Sequence, residues 1–285
     1  MENQDNSGIL ITKTSGEKER FDVSKLKRSL ENAGAEKDVI EEIADDIEKW
    51  LYEGVTTKKI YRHAYKLLRK RSTLGALRYK LKKALMELGP SGYPFEYFIG
   101  AVFEKQGYKT EVGKVIEGRC VTHEIDVIAT KEGNQHFIEC KYANDQERRV
   151  SIQVPLYVRS RVDDIMAKRE QLPEYKNYTF SGWVVSSSRF STDSIDYSKC
   201  SGLNLLGWDY PKGNGLKDII ERINIFPITL LNHLLKREKQ YLMNKGVVTC
   251  NQLMDNLKML DELNLSNKKY SDLVDELENI TNYKY

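Results

Sequence analysis

Two short hydrophobic segments near the middle of the chain carry charged residues where apolar residues would be expected. The first segment, residues 123–129, contains Asp126 between isoleucine and valine, and the second, residues 136–142, contains Glu139 and Lys141. Each segment has the length and composition of a buried β-strand. The polar stretch between them includes a Gly-Asn pair, which is typical of a tight turn. The two segments are therefore predicted to form a β-hairpin.

Alternation along a strand places Glu139 and Lys141 on one face, where an acidic residue of the first strand can meet them. Two carboxylates can hold a hard divalent cation such as Mg²⁺. A lysine beside them can orient a water molecule and stabilise the negative charge that develops on phosphorus. Because charge is costly in apolar strands, the set predicts a site for phosphodiester hydrolysis. The alternative is a Glu-x-Lys that occurs on a strand by chance.

This arrangement resembles the PD-(D/E)xK nuclease superfamily, and most closely the Mrr-like restriction endonucleases, over about residues 90–212. Residues 92–108 resemble the opening helix of that fold, on which the family often has a metal-binding glutamate. Glu96 matches that position, and Glu104 is the weaker alternative. Residues 180–190 and 203–210 are predicted as the central and last strands of the core. One departure is Ile125, which stands where the family motif has its proline.

The resemblance implies a site for Mg²⁺ or Mn²⁺, and the implied ligands are Asp126, Glu139, Glu96 and the main-chain carbonyl of Cys140. Lys141 would position or activate the attacking water. Downstream, Gln153 and Tyr157 match a Gln-x-x-x-Tyr signature of some branches of the superfamily, and on a helix this spacing places both on one face. Gln153 would hold the lysine or the scissile phosphate. Pro155 is compatible with a helix only near its start.

The first part of the chain shows a strand, a glycine turn, a second short strand and the start of a helix within residues 11–26. Amphipathic segments follow near residues 23–33, 36–53 and 57–70. This order resembles the ATP-cone, a nucleotide-binding regulatory domain. The positions that the resemblance implies for ATP or dATP binding are Lys13, Glu19, Asp22, Lys25, Leu26, Thr57 and Tyr61.

Elementary chemistry agrees with part of that set. Lys13 and Lys25 can pair with phosphates, and Thr57 is predicted at a helix N-terminus, where anions bind favourably. Thr14 stands where many ATP-cones keep a second basic residue, which lowers the expected affinity for phosphate. The alternative is a small helical domain with a solvated basic face.

The last segment, residues 213–285, is predicted to be helical. A helix is expected to start at Pro227, with an apolar stripe formed by Leu230, Leu231, Leu234 and Leu235. A glycine turn with a capped helix restart is expected within residues 245–253, and Ser266 is expected to cap a further helix. The segment weakly resembles helix-hairpin-helix modules that bind the DNA backbone. A helical cap packed on the nuclease core is the alternative.

Composition restricts the function classes. The 285 residues include 45 basic and 42 acidic side chains, a net charge of +3, so contacts with DNA must come from local patches. The four cysteines form no C-x-x-C pair, which argues against zinc and against a secreted disulfide framework. There is no signal peptide and no apolar run long enough for a bilayer. A cytoplasmic protein without a membrane partner is expected.

The predicted fold class is therefore α/β (α+β, multi-domain). It comprises a mostly helical ATP-cone-like domain (1–88), a mixed-sheet nuclease core flanked by helices (89–212) and a helical segment (213–285). The expected activity is that of a metal-dependent DNA endonuclease of restriction type (type II or IV), regulated by a purine nucleotide and assembled as a homodimer or larger homo-oligomer. Two alternatives stay open: a structure-specific repair nuclease or resolvase, and a non-cutting module that senses DNA or nucleotide.

Overall fold

The structure is a computed structural model that describes residues 8–13, 15–33, 35–71, 73–89, 92–143 and 149–282. Thr14 and Pro90 lie outside the described residues. The chain divides after Lys82 into two compact units. No helix in the described ranges is both long enough and apolar enough to span a membrane.

The first unit begins with two short antiparallel strands and continues with helices. The elements are β1 (Leu10–Thr12), β2 (Lys18–Arg20), α1 (Val23–Asn32), α2 (Lys37–Trp50), α3 (Thr57–Arg71) and α4 (Thr73–Met86), and the division between the units falls within α4. Asp22 caps α1 because its carboxylate accepts the main-chain N–H of Ser24 at 2.9 Å. Side chains from α1, α2 and α3, including Leu30, Ile47 and Leu68, form a fully buried core. The predicted strand, turn and helix order is confirmed.

The second unit contains a succession of helices and strands after α4. The elements are α5 (Tyr93–Lys105), β3 (Lys109–Glu117), β4 (Thr122–Lys131), β5 (Asn134–Lys141), β6 (Arg149–Val150), α6 (Gln153–Arg169), β7 (Thr179–Ser186), β8 (Arg189–Phe190), α7 (Thr192–Ser201) and β9 (Asn204–Leu206). Five strands form a mixed sheet in the order β3-β4-β5-β7-β9. The pairs β3–β4 and β4–β5 are antiparallel, whereas β5–β7 and β7–β9 are parallel.

The predicted hairpin is confirmed as β4 and β5, with a tighter turn than the polar stretch suggested. Only Glu132 and Gly133 separate the strands, with φ of 50° and 75°. Positive φ at both central residues is the mark of a type I′ turn, whose twist matches that of the strands it connects. The polar residues on either side of the turn therefore belong to the ladder.

The two long helices of the core cover opposite faces of the sheet. Phe103 of α5 lies edge-to-face against His136. The next residue, Phe137, packs in one cluster with Val158 and Val162 of α6. Since consecutive strand residues point to opposite faces, α5 and α6 flank the sheet on its two sides.

The C-terminal part contains α8 (Leu216–Arg222), α9 (Lys236–Asn244), α10 (Cys250–Asp255) and α11 (Asn267–Thr281). The glycine turn at Gly246 and the Ser266 cap are confirmed, since Gly246 has φ of 81° and Ser266 Oγ accepts the N–H of Lys269. Thr249 caps α10 by accepting the N–H of Gln252.

The helix predicted from Pro227 is wrong. A single 3-10 turn spans Ile228–Leu230, and the chain then bends through residues 232–234 without forming a helix before Leu235. The carboxylate of Glu276 on α11 accepts the main-chain N–H groups of Asn232 at 2.9 Å and of His233 at 3.1 Å, so these donors are satisfied outside a helix. The leucine stripe reflects burial alone: Leu230, Leu231 and Leu234 are buried, whereas Leu235 is 52% exposed.

Candidate active site

Two carboxylates meet where β4 and β5 separate. Val127 pairs with Ile138 at the end of the ladder, so Asp126 and Glu139 are the next residues across from each other and share a face. Asp126 Oδ2 accepts the main-chain N–H of Cys140 at 2.6 Å, which anchors the first carboxylate to the second strand. Glu139 is buried, with 8% of the residue exposed. The structure thus brings the two predicted acidic residues together.

Lys141 lies beside Glu139, as the spacing of two along a strand predicted. Its Nζ donates to Glu139 Oε1 at 2.7 Å. Burial lowers the pKa of Lys141, but the hydrogen bonds with Glu139 and Tyr157 outweigh it and hold this pKa above its ordinary value of 10.5. Lys141 is therefore an ammonium at neutral pH, which suits it to stabilise charge and orient water.

Helix α6 adds two further groups to Glu139. The Tyr157 hydroxyl donates to Oε1 at 2.5 Å, and Arg161 Nη1 donates to Oε2 at 2.7 Å. Arg161 also donates through Nη2 to the main-chain carbonyl of Glu124. Residues 157 and 161 are four apart and share a helix face. Sequence reasoning singled out Tyr157 and missed Arg161, although the i+4 spacing from Tyr157 could have indicated it.

The remaining member of the Gln-x-x-x-Tyr signature lies at the beginning of the same helix. Gln153 is the first residue of α6 and is exposed, and Pro155 lies in the first turn as predicted. Gln153 precedes Tyr157 by one turn, on the helix face that reaches Glu139. Its role toward the lysine or a phosphate stays a prediction.

Glu96 lies in the first turn of α5 and interacts electrostatically with the acidic residues of the site. Burial raises the pKa of Glu96 to about 7, and the negative charges of Asp126, Glu124 and Glu139 add to this effect. Burial and the charge of Glu139 likewise raise the pKa of Asp126 to about 6, against the opposing hydrogen bond from Cys140. The carboxyl groups destabilise one another's charged forms, and a bound cation would relieve this repulsion.

The ligand chemistry of the site fits a hard cation. Burial raises the pKa of the Cys140 thiol well above its ordinary value, so the oxygen of its main-chain carbonyl is the group that Cys140 can offer. Within the described residues, no three Asp, Glu, His or Cys side chains are already grouped as a metal cage. A site of two carboxylates, one carbonyl and water molecules is the kind that Mg²⁺ occupies, because this ion keeps several of its waters.

Buried serines fix the chain that follows Lys141. Ser186 Oγ donates to the main-chain carbonyl of Lys141 at 2.9 Å, and Ser187 Oγ accepts the N–H of Ala143 at 2.9 Å. Ser186 is the last residue of β7 and pairs with Lys141 in the register of the two strands, and Ser187 follows directly after it. Both serines fall within the predicted central strand, residues 180–190, and the sequence pattern assigned them no role. They hold the C-terminal end of β5 in place.

In the first unit, two of the predicted nucleotide-binding lysines meet at one carboxylate. Lys13 Nζ lies 3.0 Å from Glu19 Oε2, and Lys25 Nζ lies 3.6 Å from the same oxygen. A parallel bridge between Thr12 and Thr56 brings the start of α3, with Thr57 as its first residue, beside the strand that leads to Lys13. Glu19, Lys13 and Lys25 thus form one cluster.

The other predicted nucleotide-binding residues have structural contacts. Asp22 caps α1, and Leu26 is buried in the core of the unit with 6% exposure. The Tyr61 ring stacks on Tyr79 with centroids 4.7 Å apart, and its hydroxyl donates to the main-chain carbonyl of Tyr79 at 3.1 Å. A role in nucleotide binding stays a prediction for Asp22, Leu26, Thr57 and Tyr61.

Comparison with known proteins assigns a family to each part of the chain. Residues 9–81 match the ATP cone domain family, residues 89–209 the restriction endonuclease family Mrr_cat, and residues 226–281 the family described as AF1548-like, C-terminal. An uncharacterized protein of Archaeoglobus fulgidus is 28% identical over 181 residues, which cover 63% of this chain and 97% of that protein.

A solved structure supports the same relationship. The crystal structure of AF1548, a protein of unknown function, superposes with a TM-score of 0.55 at 27% identity and covers 67% of this chain and 99% of that one. The mixed sheet and the carboxylate–lysine cluster agree with the match of residues 89–209. The chain contains an N-terminal ATP-cone domain, an Mrr-type restriction endonuclease domain and an AF1548-like C-terminal domain.

Proposed function

We propose that this protein is a metal-dependent DNA endonuclease of restriction type. The observation that supports the proposal best is the meeting of Asp126, Glu139 and Lys141 where β4 and β5 separate. The restriction endonuclease family of this domain favours DNA as the substrate. A non-cutting descendant would have no use for a buried carboxylate and lysine, because apolar residues of similar volume would be at least as stable there.

Each residue has a distinct task in the proposed reaction. Asp126, Glu139 and the Cys140 carbonyl would hold Mg²⁺ or Mn²⁺, with Glu96 completing the shell. When bound, the ion supplies Lewis-acid polarisation of the phosphate and a lowered pKa for a coordinated water. The Lys141 ammonium would stabilise the negative charge that develops on the phosphate oxygens. Asp126 keeps its orientation through the Cys140 N–H, and Gln153 would contact the scissile phosphate or the lysine.

A plasmid-nicking assay tests this proposal. Purified protein is expected to convert supercoiled plasmid to open-circular and linear forms with Mg²⁺ or Mn²⁺, and a chelator such as EDTA is expected to abolish conversion because the carboxylates alone supply no Lewis acid. Parallel reactions on four-way junctions and on RNA distinguish a resolvase or a ribonuclease. Absence of cleavage with either metal on every DNA substrate, while DNA binding persists, would favour the non-cutting module.

We further propose that the ATP-cone domain binds ATP or dATP and thereby controls assembly. Lys13 and Lys25 both face Glu19, so phosphate groups could replace this carboxylate as their partner. Double-strand cleavage needs two cutting sites, so a homodimer or larger homo-oligomer is the assembly that the nucleotide would promote or oppose. Regulation would then act on whether two sites meet and leave the chemistry itself unchanged.

A thermal-shift titration with ATP, dATP and ADP tests nucleotide binding. The melting temperature is expected to rise with ligand concentration, since a ligand at a hundred times its Kd stabilises the folded state by about 2.7 kcal/mol. Lys25→Ala should reduce this shift. Lys27→Ala is the matched control, because Lys27 lies on the same helix and pairs with Glu41 instead of Glu19. Equal shifts in both variants would contradict the phosphate role of Lys25, and sizing chromatography reports the assembly state.

A further inference from the structure

We propose that Arg161 is an exchangeable partner of Glu139: it holds this carboxylate before metal binds and transfers to a DNA phosphate when the metal takes its place. This inference rests on the proposed function and adds to it a DNA-contacting residue outside the acidic and Glu-x-Lys positions. It also predicts that metal binding and DNA binding are coupled through a single side chain.

Both carboxylate oxygens of Glu139 already accept hydrogen bonds. Oε1 accepts from Lys141 Nζ at 2.7 Å and from the Tyr157 hydroxyl at 2.5 Å, and Oε2 accepts from Arg161 Nη1 at 2.7 Å. Glu139 is 8% exposed, so these donors surround it closely. A cation that coordinates Glu139 must therefore share a carboxylate oxygen with one of these donors or displace that donor.

Among the three donors, Arg161 is the one best placed to leave. It is the partner of Oε2, whereas Lys141 and Tyr157 share Oε1. Lys141 is only two residues away on the same strand and remains near Glu139 whatever its rotamer. Arg161 reaches the site from the separate helix α6 on a long side chain, so it can move away from Glu139 while β5 stays in place. If Oε2 turns to a metal ion, the positive charge of Arg161 becomes repelled by that ion and is released toward solvent.

The guanidinium of Arg161, once released from Glu139, is suited to bind a phosphate. Arg161 uses one N–H on Glu139 and one on the carbonyl of Glu124, out of the five that a guanidinium carries. Its planar fork matches the geometry of a phosphate better than any other side chain. The centroid of the Tyr157 ring lies 5.8 Å from Arg161 Cζ and 5.4 Å from Lys141 Nζ, so both cations lie close to the same aromatic ring. A phosphate of the DNA backbone that enters the cleft would meet both.

The first test measures metal binding without DNA. Titration of Mn²⁺ followed by electron paramagnetic resonance of the free ion is expected to show about tenfold tighter binding in Arg161→Ala, because a charge-assisted competitor for Glu139 is gone. Arg159→Ala is the matched control: Arg159 lies on the same helix with 26% exposure and pairs with Asp163. Arg161→Lys keeps a positive charge but lacks the planar fork, so its Mn²⁺ affinity is expected to lie between those of the wild-type protein and Arg161→Ala.

The second test measures DNA binding at saturating Ca²⁺ by fluorescence anisotropy over a range of salt concentrations. Arg161→Ala is expected to weaken DNA binding by about tenfold and to reduce the slope of log Kd against log salt by about one, as for the loss of one phosphate contact. Arg159→Ala should leave both quantities within about twofold. A merely structural role of Arg161 would weaken metal and DNA binding together, so the opposite signs are the signature of exchange.

Two outcomes would overturn the inference. One is unchanged or weaker Mn²⁺ binding in both Arg161→Ala and Arg161→Lys, and the other is unchanged DNA affinity and salt slope in Arg161→Ala. If the proposed function itself is wrong, the wild-type protein would either bind no Mn²⁺ or bind it as tightly as Asp126→Asn does. The metal titration of the wild-type protein and of Asp126→Asn therefore separates the two failures.

Discussion

Asp126→Asn is expected to lower the rate of DNA cleavage by about a thousandfold or more while leaving DNA binding intact or tighter. The loss follows because a metal ligand contributes several kcal/mol of charge stabilisation, and each 1.36 kcal/mol is a factor of ten in rate. Binding should be preserved or improved, because a negative charge that faces the phosphate backbone is removed. Asparagine keeps a side-chain oxygen that can accept the Cys140 N–H, which Asp126 accepts at 2.6 Å.

Single-turnover cleavage with Mg²⁺ and anisotropy with labelled duplex measure the two quantities separately. Asp163→Asn is the matched control, since Asp163 is 52% exposed on α6 and pairs with Arg159 away from the acidic pair. Its cleavage rate should stay within about twofold of the wild-type rate. An Asp126→Asn protein that cleaves within tenfold of the wild-type rate would remove Asp126 from the metal site.

The hairpin that carries the acidic pair could be predicted because its signal is local. Alternation along residues 123–129 and 136–142 fixes which side chains share a face, and the two segments are neighbours in sequence. The predicted turn is longer than the observed one, since polarity alone does not show that Glu132 and Gly133 can close the hairpin with positive φ. The leucines after Pro227 have helical spacing, but they predict a helix that does not form. Glu276, more than 40 residues away, satisfies the N–H groups that a helix would have used.

The parts of the site that sequence reasoning missed come from elements that pack together only in three dimensions. Arg161 is 22 residues from Glu139, and an arginine on an amphipathic helix is usually a solvated residue. Its contact with Glu139 depends on how α6 lies across β5. Ser186 reaches the Lys141 carbonyl only because β7 runs parallel to β5, which no local pattern reveals. Tyr157 was found because a family signature names it.

Lys141→Ala is expected to reduce the cleavage rate by about a hundredfold or more, the range measured for the loss of one electrostatic stabiliser of a transition state. The reason is that the Lys141 ammonium, whose pKa is held above its ordinary value, is the strand-borne cation beside the acidic pair. Lys141→Arg should not restore the rate, because a planar guanidinium cannot occupy the position of a compact ammonium. Single-turnover kinetics with saturating Mg²⁺ measures all three proteins.

The fold should survive this substitution, so the loss can be assigned to chemistry. Glu139 keeps Tyr157 and Arg161 as hydrogen-bond donors when the lysine is removed, and it is therefore not left as an unpaired buried charge. Lys131→Ala is the control, because Lys131 lies at the other end of β4 and donates to the carbonyl of Gln106. A Lys141→Ala protein with an unchanged melting temperature and a cleavage rate within tenfold of the wild-type rate would show that the lysine serves only to balance the charge of Glu139.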